Sequence, residues 1–150
     1  MDVPLPTRLF SLREANALIE VLREEFTRAR GLRDQLVSVQ QKLSEAGHAI
    51  EGPDVQVDGG APPAVQKLQA RAVAVIARLH ELLREVSELG VEVKAADGLV
   101  DFRSKLHGRT VYLCWKFGEE RIATWHELDA GFAGRQPLPA DGDFTGDLLH

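Results

Sequence analysis

Two long stretches of the chain carry apolar residues at steps that alternate between three and four, which is typical of helices with one narrow apolar seam. The first stretch opens with Ser11-Leu12-Arg13-Glu14, where the serine and the glutamate have the spacing of a capping box. The pattern predicts one helix over about residues 12–46, with Glu25 in one seam position and Gly31 inside the helix. The seam consists of Ala15, Leu18, Leu22, Ala29, Leu32, Leu36, Val39 and Leu43.

The second stretch begins near Pro63, a residue suited to a first helical turn, and ends at Gly90, which suits a C-terminal cap. Two helices with matching seams predict an antiparallel, coiled-coil-like hairpin, joined by a mobile connector at residues 47–63 that is rich in Gly, Pro and Asp. Residues 72–77 are nearly all apolar, so the second helix offers more apolar surface than one partner helix covers. We therefore expect a homodimer that forms through the helices. The second seam consists of Val65, Leu68, Ala72, Val75, Leu79, Leu82, Val86 and Leu89.

After Gly90 the apolar period changes from that of a helix to two, the period of a half-buried strand. The last two predicted strands form a hairpin around Gly118-Glu119-Glu120. The predicted fold class is therefore α+β, with a long antiparallel helical hairpin packed on a small antiparallel sheet of three or four strands. The strands are predicted at residues 91–93, 99–102, 110–117 and 121–128.

The length of the chain indicates a single domain, and its charge distribution argues against a nucleic-acid-binding protein. A chain of 150 residues fits one domain, which we place at residues 1–137, followed by a flexible acidic tail at 138–150. The net charge of -5 arises from the connector and the tail, each of which carries three acidic and no basic residues. The remaining chain is nearly neutral, which argues against binding to a nucleic-acid backbone. The single cysteine, Cys114, excludes an intramolecular disulfide.

The sequence contains no complete motif of a familiar enzyme class and no apolar run long enough to span a membrane. A phosphate-binding glycine loop and a nucleophile elbow are both missing, and His126-Glu127 lacks the second histidine of a zincin. The N-terminal residues do not have the pattern of a signal peptide. We expect a cytoplasmic protein without a membrane partner.

Residues with possible chemistry gather in the C-terminal third of the chain. A cysteine, a histidine and an aspartate favour two interpretations, namely a thiolate nucleophile with an imidazole base, or a mononuclear site for a divalent metal. The metal ligands would be Asp101, Cys114, His126 and Glu127. The structural alternatives are a packed cysteine, a hydrogen-bonded histidine, core tryptophans, and an ion pair of Asp101 with Arg135 or Arg109. The candidate cluster is Asp101, Cys114, Trp115, Glu119, Trp125, His126, Glu127 and Arg135.

The register of the C-terminal hairpin decides whether the cysteine and the histidine meet. With a loop of two or four residues, Cys114 and His126 lie on opposite faces of the sheet. With a three-residue loop, Cys114 opposes Thr124, Tyr112 opposes His126, and all four share one face. In the even register the aliphatic side chains of Ile122 and Leu128 would face the core, which slightly favours an even loop. In the odd register Trp125 would face the core, which favours an odd loop.

Several stretches carry a resemblance to a known family, notably residues 10–18, 89–94 and 98–102. The most specific stretch consists of Gly108-Arg-Thr-Val-Tyr-Leu-Cys-Trp115 with Gly118-Glu119, then Trp125-His-Glu127 and Gly131-Phe-Ala-Gly-Arg-Gln-Pro137. The chain resembles the small bacterial family catalogued as number 2203 among the domains of unknown function; Arg103 stands where that family usually has a small residue or proline. The resemblance supplies no substrate, but it implies that the signature residues lie in the sheet and in its return loop, which is the segment at residues 129–137. These are Asp101, Cys114, Trp115, Gly118, Glu119, Trp125, His126, Gly134 and Arg135.

Two functions follow as hypotheses. The first is a non-enzymatic protein-interaction or scaffold module that acts as a homodimer and binds a further, unidentified protein. The alternative is a small metal-binding protein, or a metal-dependent hydrolase, with its site on the C-terminal hairpin. Only the alternative requires a cofactor, which would be a divalent metal.

Overall fold

The computed structural model describes residues 8–147, and its elements confirm an α+β fold. The chain divides into two compact units, which are the sheet unit (residues up to Phe26 and from Leu83 onward) and the hairpin unit (Thr27–Leu82). A short 3-10 helix spans Phe132–Gly134. The helices are α1 (Leu12–Ala17), α2 (Ile19–Glu45) and α3 (Pro63–Ser87), and the strands are β1 (Glu92–Ala95), β2 (Leu99–Leu106), β3 (Arg109–Lys116), β4 (Thr124–His126), β5 (Gln136–Pro137) and β6 (Phe144–Thr145).

The predicted capping box is present at the start of α1. The Ser11 hydroxyl accepts from the backbone N–H of Glu14 at 3.1 Å, and the Glu14 carboxylate accepts from the backbone N–H of Ser11 at 3.0 Å. The single helix that the seam predicts is divided at Leu18, whose N–H donates to Ala15 at the end of α1. The apolar period continues across this point, which is why the sequence pattern gives no sign of the division.

In the hairpin unit, the predicted seam residues of α2 and α3 meet. Val39 and Leu43 of α2 form a buried cluster with Val65 and Ala72 of α3. The end of α2 therefore packs against the start of α3, as an antiparallel hairpin requires. The connector contributes Ala61 to this cluster, so it is partly packed; its mobility stays a prediction. Leu36, Ile50, Val55 and Leu68 pack against the cluster and are partly buried.

The sheet is antiparallel and has the order β1-β2-β3-β4-β5, with β6 paired to β2. It has six strands where the sequence predicts three or four. Each additional strand, β5 and β6, has only two residues and comes from the predicted return loop and tail. A segment of two residues is too short to show the alternation of apolar and polar residues that identifies a strand. These two strands are therefore defined only by their pairing with strands that are distant in sequence.

One face of the sheet is apolar and lies in the core of the sheet unit. Phe102 and Trp115 on this face are fully buried. The Phe10 ring meets Phe102 edge-on with centroids 5.4 Å apart, and Phe26 of α2 lies 6.2 Å from Trp115. Aromatic contacts of this kind add to the burial of apolar area. Because strand residues alternate between faces, the residues directly before and after Phe102 and Trp115 lie on the other face.

Segments near both ends of the described chain pair with the same side of β2. Leu9 bridges to Arg103, and β6 pairs with the following residues of β2. The backbone N–H of Leu9 donates to the Asp147 carboxylate at 2.9 Å, and the N–H of Asp147 donates to the Leu9 carbonyl at 3.0 Å. The predicted flexible tail thus contains a paired strand up to this point, and its last residues, 148–150, lie outside the described residues. Its flexibility stays a prediction.

Within residues 8–147, every helix is too short or too polar to cross a membrane.

Candidate functional site

The register of β3 and β4 brings the cysteine and the histidine to one face. Cys114 pairs with Thr124 and Tyr112 pairs with His126, as the odd-loop alternative requires. The even loop, which the sequence slightly favours, is wrong. The connection runs from residue 117 to 123, and the backbone N–H of Ile122 donates to Asn16 of α1 at 2.9 Å rather than to a strand. Ile122 therefore does not supply the aliphatic pairing that favours the even register.

Asp101 joins this face because β2 pairs it directly with Cys114. The three side chains of Asp101, Cys114 and His126 are buried, with residue exposures of 3%, 0% and 1%. Their donor atoms all lie within 4.8 Å of one another. The strand pairing therefore creates a buried cluster of a carboxylate, a thiol and an imidazole from three neighbouring strands. We call these three residues the triad.

The hydrogen bonds of His126 define which of its ring nitrogens carries a proton. Nδ1 lies 2.8 Å from the backbone carbonyl oxygen of Glu127, which only accepts, so Nδ1 donates. Nε2 lies 3.1 Å from each carboxylate oxygen of Asp101. A lone pair on Nε2 would face an anion, so a positive charge, either a proton or a metal cation, belongs between Nε2 and Asp101.

Cys114 has the environment of a protonated thiol when no metal is bound. Burial, together with the negative charge of Asp101 and a hydrogen bond to it, raises the pKa of Cys114 from 9.0 to about 12. A nucleophilic cysteine needs the opposite shift, toward the thiolate. The surroundings of Cys114 therefore do not support the nucleophile hypothesis, whereas a bound metal would stabilise the thiolate directly.

The fourth ligand expected from the sequence, Glu127, does not join the triad. Its carboxylate Oε1 lies 2.8 Å from Nε of Arg109. Only the backbone carbonyl of Glu127 contacts His126, from the side of the ring opposite Asp101. The expected pairing of Asp101 with Arg135 or Arg109 is also wrong, because both arginines bind glutamates instead.

Arg135 and Glu119 form a second polar group beside the triad. One Nη atom of Arg135 contacts both carboxylate oxygens of Glu119, at 2.8 and 2.6 Å, and Nε donates to the Thr124 hydroxyl at 2.7 Å. The guanidinium also lies 4.9 Å from the ring centre of Phe132 in the 3-10 helix. These contacts hold the return loop against β4, so Arg135 acts as a structural cation in this conformation.

The two tryptophans of the candidate cluster lie on the apolar face, away from the triad. Trp125 pairs with Leu113, and Trp115 pairs with Val100. The indole N–H of Trp115 donates to the Glu119 carbonyl at 2.9 Å. Both side chains therefore pack in the core rather than forming a ligand platform.

A polar network around Glu92 was not predicted from the sequence. The Glu92 carboxylate accepts from Arg103 at 2.7 Å, from the Tyr112 hydroxyl at 2.9 Å and from Lys94 at 3.1 Å. Burial raises the pKa of Glu92, but these three hydrogen bonds outweigh that effect and hold the pKa below its ordinary value. Since β1 pairs Glu92 with Asp101, the network lies next to the triad. The signal in the sequence was the alternation of these charged residues with apolar ones.

Comparison with known proteins gives one match. A family model described as an uncharacterized conserved protein, DUF2203, matches residues 8–138. The comparisons with curated proteins and with solved structures gave no match. The matched residues include the complete triad and the first five strands, and they end before β6.

Proposed function

The chain belongs to the uncharacterized conserved family DUF2203, and for it we propose a metal-binding function in which Asp101, Cys114 and His126 hold one divalent transition-metal ion. The observation that carries the proposal is the orientation of His126. Its Nδ1 donates to a backbone carbonyl, as the non-ligating nitrogen of a metal-bound histidine does, and its Nε2 is thereby directed at Asp101, where a metal ion could bind both groups.

The donor types favour zinc or a similar ion over magnesium or calcium. Thiolate and imidazole donors suit borderline transition metals, whereas magnesium and calcium prefer oxygen donors. Zn–N and Zn–S bonds of about 2.0 and 2.3 Å place tetrahedral donors about 3.2 to 3.8 Å apart. The donors of the triad, all within 4.8 Å, need only small side-chain adjustments to reach that spacing.

Charge balance also favours a divalent ion. With the metal bound, Asp101 and the thiolate of Cys114 contribute two negative charges and His126 is neutral. A divalent cation brings the buried site to zero net charge, whereas a monovalent or trivalent ion would leave a net charge in a region shielded from bulk solvent.

Cobalt binding to the chelator-treated full-length protein tests the proposal. We expect about one Co²⁺ per chain and a thiolate-to-cobalt charge-transfer band, which reports Cys114 because the chain has no other cysteine. Cys114→Ser should remove the band, and His126→Gln should weaken Co²⁺ binding by about tenfold or more. His80→Gln, a change at an exposed histidine of α3, is the matched control and should bind as the parent does.

Circular dichroism establishes that each variant is folded before its metal content is compared. If the folded parent protein binds no Co²⁺, or binds it without a thiolate band, the metal-binding function is wrong. Retained binding in both Cys114→Ser and His126→Gln would place the metal elsewhere and would also contradict the proposal.

The interaction module is a second candidate, for which the exposed apolar side chains of the hairpin unit are the support. Val37 of α2 and Val73 of α3 are 53% and 38% exposed. We propose that the helices associate as a coiled-coil homodimer in the cytoplasm, with these positions available to a second copy or another protein. Light scattering at tens of micromolar should give the dimer mass for the parent and the monomer mass for Val37→Lys/Val73→Lys. A monomeric parent contradicts this candidate.

A further inference from the structure

We infer that the metal ion held by Asp101, Cys114 and His126 keeps one coordination position for a non-protein ligand, either water or a small anion. This inference rests on the proposed metal-binding function and extends it from a structural site to an open one. Tetrahedral zinc sites with three protein ligands characteristically bind water or substrate in the fourth position, whereas structural sites use four protein ligands.

The hydrogen bonds of His126 exclude Glu127 as the fourth ligand in this conformation. The Glu127 carbonyl binds Nδ1, and the two ring nitrogens of an imidazole point away from each other. The Glu127 main chain therefore lies on the side of the ring that faces away from Asp101. Its carboxylate is bound by Arg109 at 2.8 Å.

The other carboxylates beside the triad also form ion pairs with basic side chains. Glu119 is bound by Arg135 through both oxygens and also accepts from the backbone N–H of Lys116 at 2.7 Å. Glu92 accepts from Arg103, Lys94 and Tyr112. Recruiting either carboxylate to the metal would break at least two charge-assisted hydrogen bonds, which are among the stronger polar interactions in proteins.

The neighbouring hydroxyl groups also form hydrogen bonds to other partners. Thr124, the strand partner of Cys114, donates to the Cys114 carbonyl at 3.3 Å and accepts from Arg135 at 2.7 Å. Tyr112, the partner of His126, donates to Glu92. Among the described residues that surround the triad, the groups able to bind a metal are thus held by other partners.

Burial and charge determine what enters the open position. The triad is at most 3% exposed, so the ligand has to be the size of water or a small linear anion. The cations beside the triad, Arg135 and Lys94, are already paired with Glu119 and Glu92, so water keeps the metal site neutral and an anion displaces it only when present in excess. A metal-bound water is the attacking group of hydrolytic metal sites, so this position is the feature that a hydrolase would need.

Azide titration of the full-length protein loaded with Co²⁺ tests the inference. We expect a saturable shift of the cobalt d–d bands while the thiolate charge-transfer band persists, because azide replaces water and leaves Cys114 bound. Perchlorate at the same ionic strength should leave the spectrum unchanged, since it coordinates metals poorly. Benzoate should also have no effect, since it is too large for a buried position.

The matched variant is Glu127→Gln, which should keep the parent's Co²⁺ affinity and its response to azide. If bound Co²⁺ shows the thiolate band but does not respond to azide, the open position is wrong while the metal-binding function stands. A loss of affinity of about tenfold or more in Glu127→Gln would make Glu127 the fourth ligand and overturn the inference as well. If the parent protein binds no Co²⁺, both the inference and the proposed function fail.

Discussion

Nε2 of His126 lies 3.1 Å from both carboxylate oxygens of Asp101, and the contact spans the strand that carries Cys114. The two side chains are 1% and 4% exposed, so water screens the interaction little. The pair connects β2 to β4 without a backbone hydrogen bond between them. We therefore expect the pair to stabilise the sheet even when no metal is bound.

Asp101→Asn should lower the free energy of unfolding of the chelated protein by about 3 kcal/mol, because it removes the anionic partner of a buried imidazole. Urea denaturation measures the change. Asp97→Asn, at an exposed turn position, is the control and should stay within about 0.5 kcal/mol of the parent. Equal stability of the Asp101 variant and the parent would show that the contact stabilises nothing.

The double variant Asp101→Asn/His126→Gln should be more stable than the sum of the two single changes indicates. Two neutral side chains no longer leave a buried charge without a partner, so the coupling energy should be about 1 kcal/mol or more. Urea denaturation of the parent, both single variants and the double variant completes the cycle. Strict additivity would mean that the two residues act independently.

The free energy of unfolding of the chelated protein should fall between about pH 9 and 12 partly because of Cys114. Its pKa is raised from 9.0 to about 12 by burial and by Asp101, so the unfolded chain loses this proton at a lower pH than the folded one. The stabilisation is complete below pH 9 and is lost as the pH rises, with a slope of up to about 1.4 kcal/mol per pH unit. The slope should be smaller in Cys114→Ala; parallel pH profiles would contradict the shift.

Two glycine-to-alanine changes should have opposite effects on the melting temperature. Gly98 has a φ of +116°, and an added Cβ would collide with Cβ of Phe117, so Gly98→Ala should destabilise the sheet unit. Gly31 lies inside α2, and apart from the backbone of its own helix no atom lies within 4 Å of its added Cβ, so Gly31→Ala should stabilise the helix by about 0.5–1 kcal/mol. A drop in melting temperature for Gly31→Ala would show that this position has a structural role.

Ser11→Ala should cost about 1 kcal/mol of stability, because it removes one half of the capping box at the start of α1. Ser38→Ala, at an exposed interior position of α2, is the control and should be neutral or slightly stabilising. Thermal unfolding of the two variants compares them directly. If both variants melt at the same temperature, the cap contributes little.

The two long helices could be predicted because their signals are local. The seam residues Leu36, Val39 and Leu43 repeat with the helical period, and they do pack against α3. Whether Cys114 and His126 share a face depended on one unknown, the parity of the hairpin; the sequence slightly favours the even loop, and the odd alternative is the correct one.

The rest could not be predicted because it depends on contacts between residues distant in sequence. The sequence pattern predicts that Ile122 is a strand residue. In the structure its backbone N–H donates to the side-chain oxygen of Asn16, which lies 106 positions earlier in the chain. The ion pair of Glu127 with Arg109 depends on the register between β3 and β4. The position of Glu127 directly after His126 in the sequence does not reveal it. In each case the local sequence pattern was compatible with two different partners, and the strand pairing of the folded protein determines which contact forms.

The pairing of Leu9 and β6 with the same side of β2 has a consequence for aggregation. Exposed strand edges recruit strands of other molecules, and here residues 103–106 of β2 are covered by segments near the two ends of the described chain. The family match ends at residue 138, before β6, so a shortened chain that keeps only the matched residues would uncover part of this edge. Such a chain should remain able to form the triad, yet associate edge to edge into insoluble material as its concentration rises.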